Sequence, residues 1–496
     1  MTRRTIFPAI LIGLSTVSVG CGETPAPPSF DSPDSTLVFS TYLGGAAEDS
    51  PRDVAVDGDG NIYVTGGTRS ADFPTTGGAY DTTHNGDYDV FVVKFDPSGR
   101  LIWSTLLGGP GHDRAYGIEV DGSGTVTLAG RAGPGFPPPD RAFQKEFRGF
   151  PMPGYGRQNA FVARLKPDGS GLVFSSYSGT GEMHRDLAID GSGDLYVILG
   201  YRHPDNGPQI PLPDRWLAHA YQNRIAGGRD SGIVKISGDG SRVLWATYYG
   251  GSADEGEAGA IRLCANGDIA LAGFTQSDDL PTTPGAHDRT FNGKHDWFVA
   301  RFSADGSQLR YGTYVGGSGE EYPGAHNLEV DAQGNAYLAS FTTSKDIAVT
   351  PGVVQPRFSG SFITKLSPSG GLLACTYGVG TGPEGIAVDG RGGVITIGYP
   401  REDDIPVTAD AAQPKRRGRR DAFVSRLSGD LQRLFYGSYL GGGRDDSGRA
   451  VCADSEGNVI MVGQTKSGDW PAHHAHQSAY GSGLNDGIVA KFRMRD

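Results

Sequence analysis

Short segments in which apolar and polar residues alternate recur along the chain after residue 36. In one copy, segments 54–56 and 62–64 flank the turn sequence DGDG at 57–60, which predicts a β-hairpin. Segments 90–95 and 101–107 flank DPSG at 96–99, where an early proline and a late glycine favour a tight turn. Each copy therefore predicts four strands in two hairpins, which we label A to D.

This pattern recurs seven times. An aspartate follows strand A in six copies and a cysteine in one: Asp57, Asp121, Asp190, Cys264, Asp331, Asp389 and Asp454. The strand D motif STYLGG at 40–45 recurs in related form at 104–109, 175–180, 246–251, 312–317, 375–380 and 437–442. Seven repeats of four strands predict an all-β chain, a seven-bladed β-propeller with four-stranded antiparallel blades.

The repeats are out of phase with the blades. The folded region begins with an isolated strand of D type, Leu37–Leu43, and ends with strands A, B and C at 450–453, 459–463 and 487–492. Pairing of the first strand with the last would complete the seventh blade and leave no exposed sheet edge. We therefore predict that the N-terminal strand closes the last blade.

The N-terminus has the pattern of an export signal. Arg3 and Arg4 precede a short apolar segment, 6–19, which is too short to span a bilayer. Small residues then lead to Cys21, as in a bacterial lipobox, although Ser18 replaces the usual leucine; an ordinary signal peptide beside a cysteine is the alternative. We predict a signal peptide at 1–20, a lipidated Cys21 within a Pro/Ser-rich tether at 21–35, a propeller at 36–492 and a C-terminal tail at 493–496.

The motifs AVDxxGNIYVTG, AFVxKL and STYLGG together resemble the bacterial β-propeller repeats called SBBP repeats. The resemblance extends over residues 36–492 and is weakest in the third repeat, where SGT at 178–180 replaces LGG. It implies a propeller fold and a secreted or surface location. It implies no catalytic residue.

Composition narrows the function classes. The formal net charge of −12 argues against nucleic-acid binding. The chain has only four cysteines, so no disulfide framework is indicated, and we expect buried free thiols at Cys264, Cys375 and Cys452. No nucleophile elbow, zinc-protease helix or phosphate loop occurs, and we predict no cofactor, although a structural cation such as calcium would be compatible.

The long B–C loops and the D–A loops are expected to share one face, here called the long-loop face, because strands alternate in direction. Long loops on a rigid scaffold are typical binding sites. The D–A loops carry acids at matching positions: Asp49, Asp113, Glu182, Asp254, Glu321 and Asp446. Two interpretations stay open, a cation or polyhydroxylated-ligand site at the channel mouth, and carboxylates that accept hydrogen bonds within their own turns.

The B–C loops carry three further features. Hydrophobic-proline pairs at 73–74, 136–137, 280–281, 405–406 and 470–471 are expected to pack on their blades. A basic run in the sixth repeat contains Arg416, Arg417, Arg419 and Arg420, which suits an anionic ligand but also suits a solvated loop. Close histidines at His473, His474 and His476 are candidate metal ligands, although His476 occupies a position with a structural equivalent in other repeats.

Two functions follow from these patterns. The first is a monomeric, lipid-anchored protein of the outer membrane or cell surface, a non-enzymatic scaffold that binds an envelope protein or glycan through its long-loop face. The alternative is a glycan-active lyase or hydrolase with a site at the channel mouth. Perturbed titratable groups clustered in a deep pocket would favour the enzyme.

Overall fold

The computed structural model describes residues 36–137, 141–179, 183–199, 211–322, 324, 326–380, 382–400 and 405–494. Cys21 and Glu182 lie outside these ranges. The described strands form seven separate antiparallel sheets, which confirms the seven-bladed propeller. Within the described ranges, no helix has both the length and the apolar character needed to cross a membrane.

The strands of each blade follow one another in the chain. Blade 1 contains β2 (Asp49–Val56), β3 (Ile62–Thr68), β4 (Asp89–Phe95) and β5 (Leu101–Leu107). Blade 2 contains β6 (Arg114–Val120), β7 (Val126–Ala132), β9 (Gly156–Leu165) and β10 (Leu172–Ser178), with β8 (Phe150–Met152) paired to β9. Blade 3 contains β11 (Leu187–Ile189), β12 (Leu195–Leu199), β13 (Ser231–Ile236) and β14 (Val243–Tyr249).

Blades 4 to 6 repeat this order. Blade 4 contains β15 (Glu255–Leu263), β16 (Ile269–Thr275), β17 (Asp296–Phe302) and β18 (Leu309–Val315). Blade 5 contains β19 (Glu321–Tyr322) and β20 (Leu328–Val330), which both pair with β21 (Ala336–Thr342), then β22 (Ser361–Leu366) and β23 (Leu372–Tyr377). Blade 6 contains β24 (Gly382–Val388), β25 (Val394–Tyr399), β26 (Ala422–Leu427) and β27 (Leu434–Leu440).

The seventh blade joins the two ends of the described chain. It contains β28 (Asp446–Ala453), β29 (Val459–Thr465), β30 (Asp486–Phe492) and the first strand, β1 (Leu37–Leu43). Strand β1 runs antiparallel to β30, with Leu37 opposite Phe492 and Leu43 opposite Gly487. The predicted closure by the N-terminal strand is confirmed.

The repeated aspartate closes the A–B turn. In blade 1, Asp57 Oδ1 accepts hydrogen bonds from the backbone N–H groups of Asp59 and Asn61, at 3.0 and 2.9 Å. Gly60 has φ +80°, a conformation that a residue without a Cβ adopts at low cost. The aspartates at the same position of blades 2, 3, 5, 6 and 7 accept equivalent bonds, which explains their recurrence in the sequence.

The cores lie between blades. Seven clusters of buried apolar residues each combine side chains from two neighbouring blades. Phe39 and Leu43 of β1 belong to the cluster between blades 7 and 1, whereas Leu37 and Tyr42 belong to the cluster between blades 6 and 7. Strand β1 therefore completes two cores as well as one sheet. Cys264 and Cys375 are buried free thiols, as expected, whereas the free thiol Cys452 is half-buried.

Candidate functional site in the central channel

The first strands of neighbouring blades contact one another and surround the axis. A cavity of about 260 Å³ lies there, and all seven blades contribute lining residues. Each first strand runs from its D–A loop to its A–B turn. Residues early in these strands therefore lie toward the long-loop face, and later residues lie toward the opposite face of short turns.

Five arginines cluster toward the long-loop face, four of them around Tyr116 and the fifth, Arg449, close to Arg52; we call them the arginine layer. They are Arg52, Arg114, Arg131, Arg185 and Arg449. The guanidinium carbons of Arg52, Arg131 and Arg185 lie 5.8, 5.5 and 5.9 Å from the Tyr116 ring centroid. Tyr116 is 8% exposed. Three blades therefore bring cationic side chains to one buried aromatic ring, and blade 7 adds Arg449 beside them.

The arginine layer has an excess of donors. The Nε atoms of all five arginines are buried without a hydrogen-bond partner among the described residues. Within those residues, the salt bridge found for this layer joins Arg449 to Glu384, with Nη1 and Oε2 3.2 Å apart. Guanidinium groups that are buried without carboxylates favour binding of an anion.

Charge crowding in the arginine layer shifts two pKa values. Burial, together with the positive charges of Arg114 and Arg449, lowers the pKa of Arg52 to about 9. Burial raises the pKa of Tyr116, but the arginines around its ring outweigh burial and bring that pKa down to about 7. Tyr116 therefore ionises more readily than an ordinary tyrosine.

A second set of charged residues, the acid layer, lies nearer the short-turn face. It contains Asp53, Glu119, Asp186, Glu329, Arg262 and His326. Arg262 donates to Asp186 Oδ2 at 2.5 Å and to Glu329 Oε2 at 3.2 Å. Burial, with the neighbouring acids, raises the pKa of Glu119 to about 8 against the opposing effect of Arg262. The channel is thus cationic toward the long-loop face and acidic beyond it.

The predicted D–A acids occupy buried sites within their own loops. Asp49 accepts from the Gly45 N–H at 2.8 Å and from the hydroxyls of Thr68 and Ser70. Asp113 accepts from two backbone N–H groups, and Glu321 and Asp446 each accept from one backbone N–H group and two hydroxyls. These bonds match the alternative in which each carboxylate stabilises its own turn.

One D–A position requires a correction. In blade 4 the equivalent carboxylate is Glu255, which accepts from the Gly251 N–H at 3.0 Å and from Thr275 Oγ1 at 2.8 Å. Asp254 instead forms an ion pair with Arg229 at the surface. The sequence alignment, counted back from the end of strand A, was displaced by one residue because β15 has a register irregularity between Glu255 and Gly259.

Burial raises the pKa values of these carboxyls. The pKa of Asp49 rises to about 6, and the pKa values of Asp113, Glu255 and Asp446 rise to about 7. Their hydrogen bonds oppose the shift without cancelling it.

The basic run is divided between surface ion pairs and a cavity. Arg417 pairs with Asp469 at 3.0 Å, and Arg419 pairs with Asp445 at 2.6 Å. Arg420 lines a cavity of about 310 Å³ between blades 7 and 1, and its guanidinium lies 5.2 Å from the Tyr399 ring centroid. Arg52 and Arg449 line the same cavity, so it connects the basic run with the arginine layer. Arg416 is half-buried in the same loop.

The other loop predictions have mixed outcomes. Phe73, Phe136, Leu280 and Trp470 of the hydrophobic-proline pairs are buried, as expected, whereas Ile405 is half-buried. His473 and His474 stack with ring centroids 4.0 Å apart, and His476 is exposed beside Phe95. These histidines form no group of three converging ligand atoms within the described residues.

The sequence prediction did not include the arginine layer. Arg52, Tyr116, Arg185 and Arg449 all lie five positions before the residue that follows strand A in their repeats. Alignment of that inward position across the seven repeats would have identified them. His326 occupies the same sequence position in blade 5, but its ring contacts the Arg52 carbonyl and faces Asp53 and Asp186 of the acid layer.

Sequence comparison links one repeat to a family and the chain to a distant relative. Residues 38–74 match a family described as SBBP, beta-propeller repeat. Regulatory protein FlaEY of Caulobacter vibrioides is 25% identical over 298 residues, which cover 58% of this chain and 29% of that protein. The match therefore spans less than a third of the relative.

Solved structures with distant similarity share less than 15% sequence identity with the chain. Hydrazine synthase of Kuenenia stuttgartiensis has a TM-score of 0.44 at 10% identity, with 84% of this chain and 92% of that chain covered. A protein of unknown function from Dyadobacter fermentans has a TM-score of 0.42 at 14% identity, with 93% and 100% covered. The RRP9 WD40 repeats have a TM-score of 0.43 at 9% identity, with 94% and 99% covered. The chain is a seven-bladed β-propeller in which residues 38–74 match the SBBP β-propeller repeat.

Proposed function

We propose that the protein is a non-enzymatic binding scaffold of the cell envelope that takes an acidic group of a glycan or protein into the arginine layer. The observation that carries this proposal is the set of five buried Nε atoms in the arginine layer that have no hydrogen-bond partner among the described residues. A carboxylate or sulfate would accept two hydrogen bonds from one guanidinium and offset the mutual repulsion of the others.

The cavity between blades 7 and 1 supplies a route for such a ligand. Its lining includes Arg52, Arg420 and Arg449 together with Lys466. Of its three acids, Glu48 lies 4.0 Å from Arg69, Asp445 is already paired with Arg419, and the raised pKa of Asp446 reduces its charge near neutral pH. A ligand made of several acidic sugars or amino acids would therefore extend through this cavity from the basic run toward the axis.

The binding experiment uses an oligomer of galacturonate, a neutral galactose oligomer and a polyglutamate peptide in titration calorimetry with the mature protein. The double variant Arg52→Gln/Arg185→Gln should weaken binding of the acidic probe by more than about tenfold, since charge-assisted hydrogen bonds contribute about 1.5–3 kcal/mol each. Arg100→Gln is the control, because Arg100 lies at a C–D turn with 79% of its side chain exposed.

The three probes give distinct outcomes. Preference for galacturonate over polyglutamate would assign a glycan, and the reverse preference would assign a protein segment. Equal binding of the neutral oligomer, or unchanged binding by the double variant, would contradict the proposed site.

We further propose that a lipid on Cys21 holds the protein at the outer membrane or cell surface. The support is the export signal that ends at Cys21 and the Pro/Ser-rich segment that follows it. Cys21→Ala should move the protein from the membrane fraction to the soluble fraction. A wild-type protein that is already soluble would contradict the anchor.

A glycan lyase is the second candidate, and the lowered pKa of Tyr116 favours it. Arginines that neutralise a uronate carboxylate would acidify its C5 proton, which the Tyr116 phenolate could accept. The C4–O bond would then break, and the departing oxygen would take a proton from water. Ultraviolet absorbance of an unsaturated uronate product, lost in Tyr116→Phe, would support the lyase, whereas binding without product would support the scaffold.

A further inference from the structure

Three side chains from three different blades converge on the axis in the acid layer. They are Asp53 of blade 1, Asp186 of blade 3 and His326 of blade 5. Their nearest ligand atoms all lie within 4.8 Å of one another. His326 Nδ1 is 3.8 Å from Asp53 Oδ1 and 3.8 Å from Asp186 Oδ1. Within the described ranges, no other three His, Cys, Asp or Glu residues converge in this way.

These separations are too long for direct hydrogen bonds, which join nitrogen and oxygen at about 2.7–3.2 Å. His326 Nε2 lies 3.1 Å from the carbonyl oxygen of Arg52, and a carbonyl can only accept. Nε2 therefore carries the proton, which leaves a lone pair on Nδ1 when the ring is neutral. That Nδ1 has no hydrogen-bond partner, and His326 is 5% exposed. A lone pair facing two carboxylate oxygens is unfavourable unless a proton or a metal cation lies between them.

The surrounding contacts orient the three groups as contacts around metal ligands do. Asp53 accepts from the N–H groups of Val54 and Ile118, at 2.8 and 2.9 Å. Asp186 accepts in the same way from its own strand and from the next blade, through Leu187 and Ile261. Each carboxylate oxygen can accept two hydrogen bonds, so Oδ1 of both residues keeps a lone pair.

An ion pair of Asp186 and the backbone conformation of His326 also affect how these ligand atoms are placed. Arg262 occupies Oδ2 of Asp186 and leaves Oδ1 directed at His326. His326 itself has φ +49°, in the left-handed region, which costs about 1–3 kcal/mol for a residue with a side chain. Such strain commonly persists where a side chain must be held in place for binding.

We propose that Asp53, Asp186 and His326 bind one Zn²⁺ ion, which links blades 1, 3 and 5 across the channel. Zn²⁺ takes imidazole nitrogen and carboxylate oxygen at about 2.0–2.2 Å, which requires ligand atoms roughly 3.3–3.8 Å apart. A water molecule completes the coordination. Calcium and magnesium fit less well because both prefer oxygen ligands throughout. The ion would also offset the net negative charge of the acid layer.

The test measures Zn²⁺ binding by the mature protein after removal of metal with a chelator. Calorimetry with zinc alone should show one site per chain, and zinc should raise the thermal midpoint of unfolding. His326→Gln should weaken this binding by more than about 100-fold, the upper end of the effect of losing a supporting contact around a metal. If His326→Gln does not fold, Asp53→Asn serves as the second variant, because it removes the negative charge of one proposed ligand.

The loop histidines provide the matched control. A variant with His473, His474 and His476 all replaced by alanine should bind zinc as tightly as the wild type, since the axial site is unchanged. Absence of zinc binding by the wild type would overturn the proposal. So would binding that is lost in the loop variant, or binding that persists in both His326→Gln and Asp53→Asn.

Discussion

The hydroxyl of Tyr42 in the first strand donates a hydrogen bond of 2.8 Å to the carbonyl oxygen of Ser467 in the last blade. Tyr42 also accepts from the N–H of Trp470 at 2.9 Å, and Trp470 Nε1 donates to Ser40 Oγ at 2.7 Å. These bonds add to the pairing of β1 with β30. The N-terminal strand is therefore held both by its neighbouring strand and by the B–C loop of its blade.

Deletion of residues 36–45 should destabilise the whole propeller. Leu37, Phe39, Tyr42 and Leu43 are each at most 2% exposed, and burial of such a side chain contributes about 1.5–3 kcal/mol. We expect the thermal midpoint of unfolding to fall by about 10 °C or more and the unfolding transition to become broader. Deletion of residues 26–35, an equal length of the predicted tether, is the control. Equal midpoints for the two deletions would show that β1 does not close the ring.

The basic run should contribute to acidic-ligand binding mainly through Arg420. Arg420 lines the cavity shared with Arg52 and Arg449, so Arg420→Ser should weaken galacturonate binding about tenfold. It should also reduce the dependence of affinity on salt concentration. Lys415→Ser removes the same charge from an exposed position of the loop and should change affinity less than about twofold. Equal losses in both variants would indicate a general charge effect.

Binding of an acidic ligand should weaken as the pH rises from about 6 to 8. The pKa of Tyr116 is lowered to about 7, so its phenolate forms over this range and neutralises part of the arginine charge. Galacturonate remains ionised throughout, because carboxyl groups have ordinary pKa values near 4. Calorimetry at several pH values checks the slope. Tyr116→Phe should bind with little dependence on pH, and a slope that survives this substitution would exclude Tyr116 as its source.

Stability should fall as the pH rises from about 5 to 8. The folded pKa of Asp113 and of Asp446 is about 7, above the ordinary value of 3.8, so the folded state holds protons that the unfolded state has released. Stability from such groups is present at low pH and is lost as the pH rises through the folded pKa. Thermal unfolding across this range should show midpoints several degrees lower at the alkaline end. Asp113→Asn should flatten the slope, and a midpoint that rises with pH would contradict these shifts.

The repeat pattern was sufficient to predict the fold because each blade repeats the same turn chemistry. Asp57 and its equivalents close A–B turns, and glycine at the C–D turn lets neighbouring blades pack closely. At Gly99, for example, a Cβ would lie 2.7 Å from the Phe39 ring of the adjoining blade. The phase offset between Leu37–Leu43 and the final three strands also predicted ring closure, since no other strand could complete that blade.

The channel was harder to predict because its residues come from all seven blades and share no local motif. Arg52 and Arg185 are separated by two repeats, and only the closed ring brings both beside Tyr116. The D–A acids were easy to identify because they recur in the sequence. They recur because each carboxylate accepts hydrogen bonds that hold its own loop, and not because they bind a ligand together. Asp254 and Glu255 differ by one position; counting back from strand A selects Asp254, whereas counting four residues on from Gly251, the spacing seen in the other blades, selects Glu255.

Hydroxyl-radical footprinting of the mature protein with and without the galacturonate oligomer tests the central claim most directly, because it locates the ligand on the propeller. Tyr155, which is 39% exposed and lies 3.7 Å from the guanidinium of Arg131, and Tyr399 beside Arg420 report on the long-loop face. Ile102 and Leu373, which are 42% and 50% exposed just after C–D turns, report on the short-turn face. We predict protection of both tyrosines and no change at Ile102 or Leu373. Protection of Ile102 and Leu373 without protection of the tyrosines would contradict binding at the arginine layer.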